Sequence, residues 1–214
     1  MAQRRHHYEH AFEEFLRSRR IPYVAVDEAK KALIPDGQAW NVVEGEAGGA
    51  VKRSLKSFDF VLYGEGSNLL VEVKGRRISP VRRNRPARAT SPDEDLLGPL
   101  RSDRPMPPPR RSRLDSWVTL EDVESLSRWE RLFGPEFEAA FVFVYWCDDQ
   151  PPDALFDEIF DHAGRWYSLR AVTLREYAAA MKTRSPRWRT VHIPIAAFDR
   201  ISRPLVGGFR SANG

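Results

Sequence analysis

Asp59, Glu72 and Lys74 are the residues of this chain whose types and spacing could support metal-assisted chemistry. If the chain brings the two carboxylates to one face of a sheet, their like charges destabilise that sheet unless a cation compensates them. Lys74 could supply the positive charge. A hard divalent metal ion, which takes oxygen ligands, could supply it as well. The residue types therefore predict either a metal site or an ordinary cross-strand ion pair.

A β-hairpin is predicted for the segment that holds these residues, SFDFVLYGEGSNLLVEVKGRR. Two apolar runs, Phe58 to Tyr63 and Asn68 to Lys74, flank a Gly-Glu-Gly-Ser loop. A turn centred between residues 65 and 66 places Asp59 directly opposite Glu72, and strand alternation adds Lys74 to the same face. The other face is predicted to carry Phe58, Phe60, Leu62, Val71 and Val73.

An amphipathic helix is predicted to begin near Tyr8 and to end before Pro22. Apolar residues recur from Tyr8 at helical spacing, in one stripe. Glu9 lies nearest the edge of this stripe and Glu13 lies further round, so Glu9 is better placed to face a cleft beneath the helix. A short buried strand, Pro22 to Val26, is predicted to follow.

The segment from Gly75 to Arg113 differs from its surroundings because it is crowded with Pro and Arg and nearly lacks aliphatic clusters. Such a composition cannot bury enough apolar surface to fold alone, so we predict a flexible basic insertion. An Arg-rich tract is either a solvated loop or a surface that follows a phosphate backbone. The basic residues in and near it that could contact phosphate are Lys56, Arg76, Arg77, Arg82 and Arg83.

The remaining chain is predicted to complete one α/β domain over residues 1–214. Thr119 is a plausible N-cap of a helix that ends at Gly134, and Ala139 to Trp146 is a continuous apolar run typical of a central strand buried on both faces. We predict a mixed central sheet flanked by the Tyr8 helix and the Thr119 helix. A short helix over Ala154 to Phe160 and a strand over Trp166 to Val172 are also predicted.

The charge and the cysteine content indicate which partners and which cellular compartment suit the protein. The formal net charge of +4 and pI of about 9.4 favour anionic partners without requiring them. The lone Cys147 cannot form an intramolecular disulfide, which suits a reducing cytoplasm. The sequence carries neither a signal-peptide core nor a run of about 18 apolar residues, so we expect a cytoplasmic protein without a membrane partner.

The order helix, strand, hairpin, helix, strand, with an Asp on one hairpin strand and Glu-Val-Lys on the next, resembles the core of the PD-(D/E)XK nuclease superfamily. Its motif stands here as Asp59 and Glu72-Val73-Lys74, with Phe58 in place of the usual Pro. The first helix is similar in spacing to that of archaeal Holliday-junction resolvases, whose helix glutamate falls on Glu9. The segment HYEHAFE, at residues 7–13, resembles the name motif of the bacterial HYExAFE family.

The resemblance implies a restriction-endonuclease-like core and metal-dependent hydrolysis of phosphodiester bonds in DNA. It implies a magnesium or manganese ion held by Asp59, Glu72 and the carbonyl of Val73, with Glu9 binding a water or a second metal ion. Lys74 would orient the attacking water, and Glu9, Asp59, Glu72 and Lys74 would form the catalytic set. Glu13 would either support that set from the helix or lie on the surface, and Tyr8 would either support it or pack in the core. The resemblance also implies a homodimer, because two DNA strands require two sites.

Three interpretations compete with an active nuclease. The hairpin charges could form a structural ion pair with no chemistry. The same fold could bind nucleic acid without turnover. The chain could also be an interaction protein whose basic insertion docks an acidic partner.

Overall fold

A computed structural model of the chain describes residues 3–27, 41–42, 53–54, 56–64, 68–78, 114–147 and 158–206. Its helices are α1 (Gln3–Ser18), α2 (Leu120–Phe133), α3 (Leu174–Ala180) and α4 (Ile195–Ile201). Its strands are β1 (Tyr23–Ala25), β2 (Asn41–Val42), β3 (Arg53–Ser54), β4 (Phe60–Leu62), β5 (Asn68–Ile78), β6 (Val118–Thr119), β7 (Phe137–Cys147), β8 (Glu158–His162), β9 (Arg165–Thr173), β10 (Lys182–Ser185) and β11 (Thr190–His192).

A six-stranded mixed sheet with the order β1-β4-β5-β7-β9-β8 forms the centre of the fold. Strands β5 and β7 run parallel over eleven residue pairs, and the other neighbours are antiparallel. Strand β7 is the apolar run predicted to be central, and residues 139–145 are buried. A parallel pair needs a crossover, and α2 provides it between β5 and β7.

Helices cover both faces of this sheet, as predicted. The apolar stripe of α1 packs on one face against Phe60, Leu69, Val71 and Val73. Val123 and Leu126 of α2 pack on the other face with Leu70, Phe141 and Tyr177. The sequence prediction of a mixed sheet between the Tyr8 and Thr119 helices is therefore confirmed.

A second sheet of three strands, with the order β10-β11-β6, leads directly into α2. Strand β10 forms a hairpin with β11, and Thr190 of β11 pairs with Thr119 of β6. Thr119 then caps α2: its hydroxyl accepts a hydrogen bond from the Asp122 amide at 3.1 Å, and Asp122 Oδ2 accepts one from the Thr119 amide at 2.9 Å. This reciprocal pair is a capping box, which fixes the start of the helix.

Several sequence predictions need correction. Phe58 precedes β4 and does not alternate with it, so its ring packs on the α2 side against Trp129 and Phe133. Strand β5 continues to Ile78, so the basic insertion cannot start at residue 75; residues 79–113 lie outside the described residues. Residues 158–160 belong to β8 rather than to a helix.

Among the described helices, none combines the length and the apolar character needed to cross a membrane.

Candidate active site

Within β4, at residues 60–62, the register of the hairpin is the one predicted. Phe60 pairs with Val71 and Leu62 with Leu69, and the Asp59 amide donates to the Val71 carbonyl at 3.0 Å. Asp59 lies one residue before β4, and its amide bonds to Val71, the residue that already pairs with Phe60. The pairing therefore shifts by one residue at Asp59, and the predicted direct opposition of Asp59 and Glu72 is not part of the observed register. The loop at residues 65–67 lies outside the described residues.

Because β4 begins only at Phe60, the part of β5 beyond Glu72 has no neighbouring strand on that side among the described residues. Beyond Asp59, β5 has β7 on one side, and the Val73 amide on the other side donates to Asp59 Oδ2 at 2.6 Å. The N–H and C=O groups of one residue in an extended strand point to the same side. The Val73 carbonyl therefore faces the same open edge as the Asp59 carboxylate.

A cleft of about 490 Å³ opens at this edge and has an excess of negative charge. Five carboxylates and three cations line it, so its formal charge is two units negative. The carboxylates are Glu9, Asp27, Asp59, Glu72 and Asp122, and the cations are Lys56, Lys74 and Arg76.

Crowding of carboxylates is clearest at Asp59. Burial raises the pKa of this carboxyl well above its usual range, and the charges of Glu72 and Glu9 raise it further. The Val73 amide and Lys74 oppose this effect and do not cancel it. A divalent cation beside Asp59 would stabilise its ionised form, because it would replace these repulsions with attraction.

Lys74 lies between two carboxylates that come from different elements. Its Nζ is 2.7 Å from Glu72 Oε1 on β5 and 2.9 Å from Asp122 Oδ2 on α2. Lys56 repeats the pattern: its Nζ lies 3.5 Å from Glu72 Oε1 and donates to Asp122 Oδ1. The two lysines thus connect the hairpin to the first turn of α2.

Asp122 is a site residue that sequence reasoning missed. Only 3% of the residue is exposed. Burial alone would raise its pKa, but the charge of Lys74 and hydrogen bonds from Lys56, Lys74 and the Thr119 amide lower that pKa to about 2. The spacing Thr119-x-x-Asp122 predicts a helix start, whereas its contact with Lys74 depends on how α2 packs on the sheet.

Glu9 reaches the cleft although α1 packs on the opposite face of the sheet. The preceding residue, Tyr8, lies with its ring against the backbone of Gly75, where a Cβ atom would be 2.1 Å from Tyr8 Cδ2. Gly75 therefore permits the close approach that brings Tyr8 and Glu9 to the rim of the cleft. Glu13 is instead held by Arg17 at 2.6 Å and by the Tyr23 hydroxyl at 2.7 Å, which ties α1 to β1.

The predicted phosphate-contacting residues separate into three groups. Lys56 and Arg76 line the cleft, and the Arg76 guanidinium lies 4.2 Å from the centre of the Trp117 ring and donates to the Gly75 and Trp117 carbonyls. Arg77 is on the opposite face of β5, where it stacks on Trp146 at 4.6 Å. Arg82 and Arg83 lie outside the described residues.

The donor set fits a magnesium-type ion with few protein ligands. No cluster of three or more His, Cys, Asp or Glu side chains that could hold a metal occurs within the described ranges. Magnesium, however, is commonly bound by one or two carboxylates together with waters and substrate phosphates. The hydrogen bonds described above fall on Asp59 Oδ2 and Glu72 Oε1. Asp59 Oδ1, Glu72 Oε2 and the Val73 carbonyl are therefore suited to such an ion.

Comparisons of the chain with protein-family models, with curated proteins and with solved structures found no match. The superfamily resemblance stays a prediction that rests on the residues themselves.

Replacing Asp59 with Asn is expected to stabilise the protein at pH 7 in the absence of metal. The raised pKa of Asp59 means that its contribution to stability is lost as the pH rises from about 3.8 through the folded-state value. Asparagine can accept the Val73 hydrogen bond without the charge. We expect the melting temperature to rise by roughly 2–4 °C, the effect of about 1 kcal/mol in a protein of this size.

The matched control is Asp161→Asn, because Asp161 is an exposed residue of β8. It should leave the melting temperature unchanged at both pH 7 and pH 4. The gain of Asp59→Asn should shrink at pH 4, because the raised pKa of Asp59 leaves this carboxyl of the folded wild type mainly protonated there. A lower melting temperature for Asp59→Asn than for wild type at pH 7 would show that the Asp59 charge is well compensated.

Proposed function

We propose that this protein is a metal-dependent endonuclease that hydrolyses phosphodiester bonds in DNA, with a restriction-endonuclease-like core. The observation that carries the proposal is the convergence of Asp59, Glu72 and Lys74 at one open sheet edge. Glu9 and Asp122 reach the same cleft from helices on opposite faces of the sheet. An ordinary ion pair on a hairpin needs neither a cleft nor this excess of carboxylates.

Each side chain has a role that follows from its contacts. Asp59, Glu72 and the Val73 carbonyl would hold magnesium or manganese at the sheet edge, and Glu9 would bind one of its waters or a second ion. Such an ion polarises a phosphoryl oxygen and lowers the pKa of a bound water. Lys74 would orient the attacking water and offset the negative charge that develops on the phosphoryl group.

DNA is the proposed substrate because cationic groups border the acidic cleft. Arg76 lines it directly, and Arg184 lies on the same Trp117 ring at 5.0 Å. A phosphate backbone could follow these guanidinium groups while one phosphodiester enters the cleft.

The test is cleavage of supercoiled plasmid, circular single-stranded DNA and branched duplex DNA by the purified protein. We expect nicking with Mg²⁺ or Mn²⁺ and no nicking in EDTA. The double variant Asp59→Asn/Glu72→Gln, purified in parallel, should be inactive and so excludes a contaminating nuclease. Cleavage in EDTA, or equal cleavage by the double variant, would contradict the proposal.

A DNA-binding protein without turnover is the second candidate. It is favoured by the contacts of Glu72 Oε1 with Lys74 and Lys56, which compensate this carboxylate internally. This candidate predicts salt-sensitive DNA binding that is unaffected by Asp59→Asn/Glu72→Gln and produces no cleavage with either metal. The nuclease proposal predicts that the same double variant abolishes metal-dependent cleavage.

A further inference from the structure

The tip of the β10–β11 hairpin exposes a tryptophan among arginines. Trp188 is 69% exposed, more than any other large hydrophobic side chain that the structure describes. Arg184, Arg187 and Arg189 are exposed in the same tip, and the Arg187 guanidinium lies 5.2 Å from the centre of the Trp188 ring. Single exposed apolar residues are common on proteins. Residues 184–189, however, combine this exposed indole with three arginines at one turn. That combination is more specific than a single exposed apolar residue.

The tip is an ordered turn rather than a loose loop. The Arg189 amide donates to the Pro186 carbonyl at 3.2 Å, and the Trp188 amide donates to Ser185 Oγ at 3.4 Å. Arg189 has a φ of 44°, in the left-handed region that is costly for a residue with a side chain. Its side chain also pairs with Glu124 of α2 at 3.1 Å. These contacts fix the backbone of the turn that presents Trp188 on the surface.

The tip adjoins the candidate active site. The Arg189 carbonyl accepts a hydrogen bond at 2.8 Å from Leu120, the residue after Thr119, and Thr119 lines the cleft. The Arg184 guanidinium lies over the Trp117 ring, and Trp117 also lines the cleft. The Arg76 guanidinium lies 4.2 Å from the centre of the same ring. Cationic and aromatic groups therefore continue from the cleft along β10 to Trp188.

We propose that this hairpin tip binds a single-stranded segment of DNA next to the bond that is cleaved. An unpaired base would stack on Trp188, and Arg184 and Arg187 would contact the flanking phosphates. Aromatic side chains combined with a cationic track are the usual means of binding unpaired strands, because every base has a π-face. In a duplex the bases already stack on each other, so Trp188 would favour substrates with an unpaired segment. This inference rests on the proposed function for its choice of DNA.

The experiment measures binding without cleavage, in EDTA, by the anisotropy of fluorescein-labelled oligothymidine and of a blunt duplex of equal length. Wild-type protein should bind oligothymidine more tightly than the duplex. Trp188→Ala should weaken oligothymidine binding by about 5- to 150-fold, the range for loss of one stacked base, and should change duplex binding little. Trp188→Phe should retain most of the affinity, because it keeps an aromatic face.

The phosphate contacts are tested through salt dependence. Arg187→Gln should reduce the slope of log affinity against log salt concentration by about 0.7. Arg131→Gln is the matched control, since Arg131 is exposed in the last turn of α2, away from the hairpin. It should leave the slope unchanged.

Measurements of binding and of cleavage test DNA binding by the hairpin tip separately from the proposed nuclease activity. Trp188-dependent binding without cleavage in Mg²⁺ would support the hairpin and contradict the nuclease. Metal-dependent cleavage with unchanged binding by Trp188→Ala would support the nuclease and overturn the hairpin. Tighter binding of oligouridine than of oligothymidine would overturn the assignment to DNA. Self-association that Trp188→Ala abolishes, with no change in DNA binding, would instead make the tip a protein interface.

Discussion

Replacing Lys74 with Met is expected to reduce metal-dependent DNA cleavage by about 100- to 1,000-fold, the effect of removing one group that stabilises charge in a transition state. Lys74 lies 2.7 Å from Glu72 and 2.9 Å from Asp122, at the edge where the phosphodiester would enter. Methionine keeps most of the length of the side chain and removes its charge. The measurement is the rate of plasmid nicking at saturating Mn²⁺.

Lys74→Arg and Lys56→Met separate catalysis from simple charge compensation. Arginine restores the charge with a planar guanidinium in place of a compact ammonium, so we expect Lys74→Arg to stay far below wild type. Lys56 contacts the same two carboxylates, but its side chain is 41% exposed compared with 13% for Lys74. Lys56→Met should therefore lower the rate less. If Lys74→Met folds and nicks DNA as fast as wild type, Lys74 is a structural counter-ion.

The hairpin could be predicted from sequence because its information is local. Loop composition and loop length set the register of residues 60–62 with residues 69–71, as predicted. Asp59 departs from this register by one residue and is held instead by the Val71 carbonyl and the Val73 amide. Phe58 does not follow the predicted alternation of side chains. Alternation holds within a strand, and β4 begins only at Phe60, so Phe58 is free to turn toward Trp129 and Phe133 on the other face.

The elements that contact the hairpin and the sheet could be predicted only in part, because these contacts depend on tertiary packing. An apolar stripe shows which side of α1 is buried and not which face of the sheet it covers. Glu9 nevertheless reaches the cleft, since Gly75 allows Tyr8 to approach β5 closely. The run at residues 154–160 has no strand alternation, yet residues 158–160 pair with β9. Glu158 is held there by amides of Leu205 and Val206, which are distant in sequence.

Asp122 shows how a capping residue gains a second role from tertiary structure. Its helix-cap contact is local, whereas both lysines that surround it come from elsewhere in the chain. Asp122→Ala is expected to destabilise the protein by about 1.5–3 kcal/mol, because Lys74 and Lys56 lose one of their two carboxylate partners and keep only Glu72. Urea unfolding at pH 7 measures this change.

Thr119→Ala is the control that removes the helix cap alone, and it should cost about 1 kcal/mol. Asp122→Asn keeps an oxygen that can accept the Thr119 hydrogen bond but loses the charge, so it should fall between the two. If all three variants lose the same stability, Asp122 acts only as a cap.

The pH dependence of stability distinguishes the charge of Asp122 from its cap, because its pKa is lowered from 3.8 to about 2. A lowered folded-state pKa gives stability that is present above pH 3.8 and is lost as the pH falls toward 2. Wild-type protein should lose about 2 kcal/mol more than Asp122→Asn over that window.

Asp122→Asn should also slow nicking by about 10- to 100-fold through misplacement of Lys74, without changing the Mn²⁺ concentration for half-maximal activity. A shifted Mn²⁺ requirement would instead connect Asp122 to the bound ion, either as a ligand or through Lys74 and Lys56, which also contact Glu72.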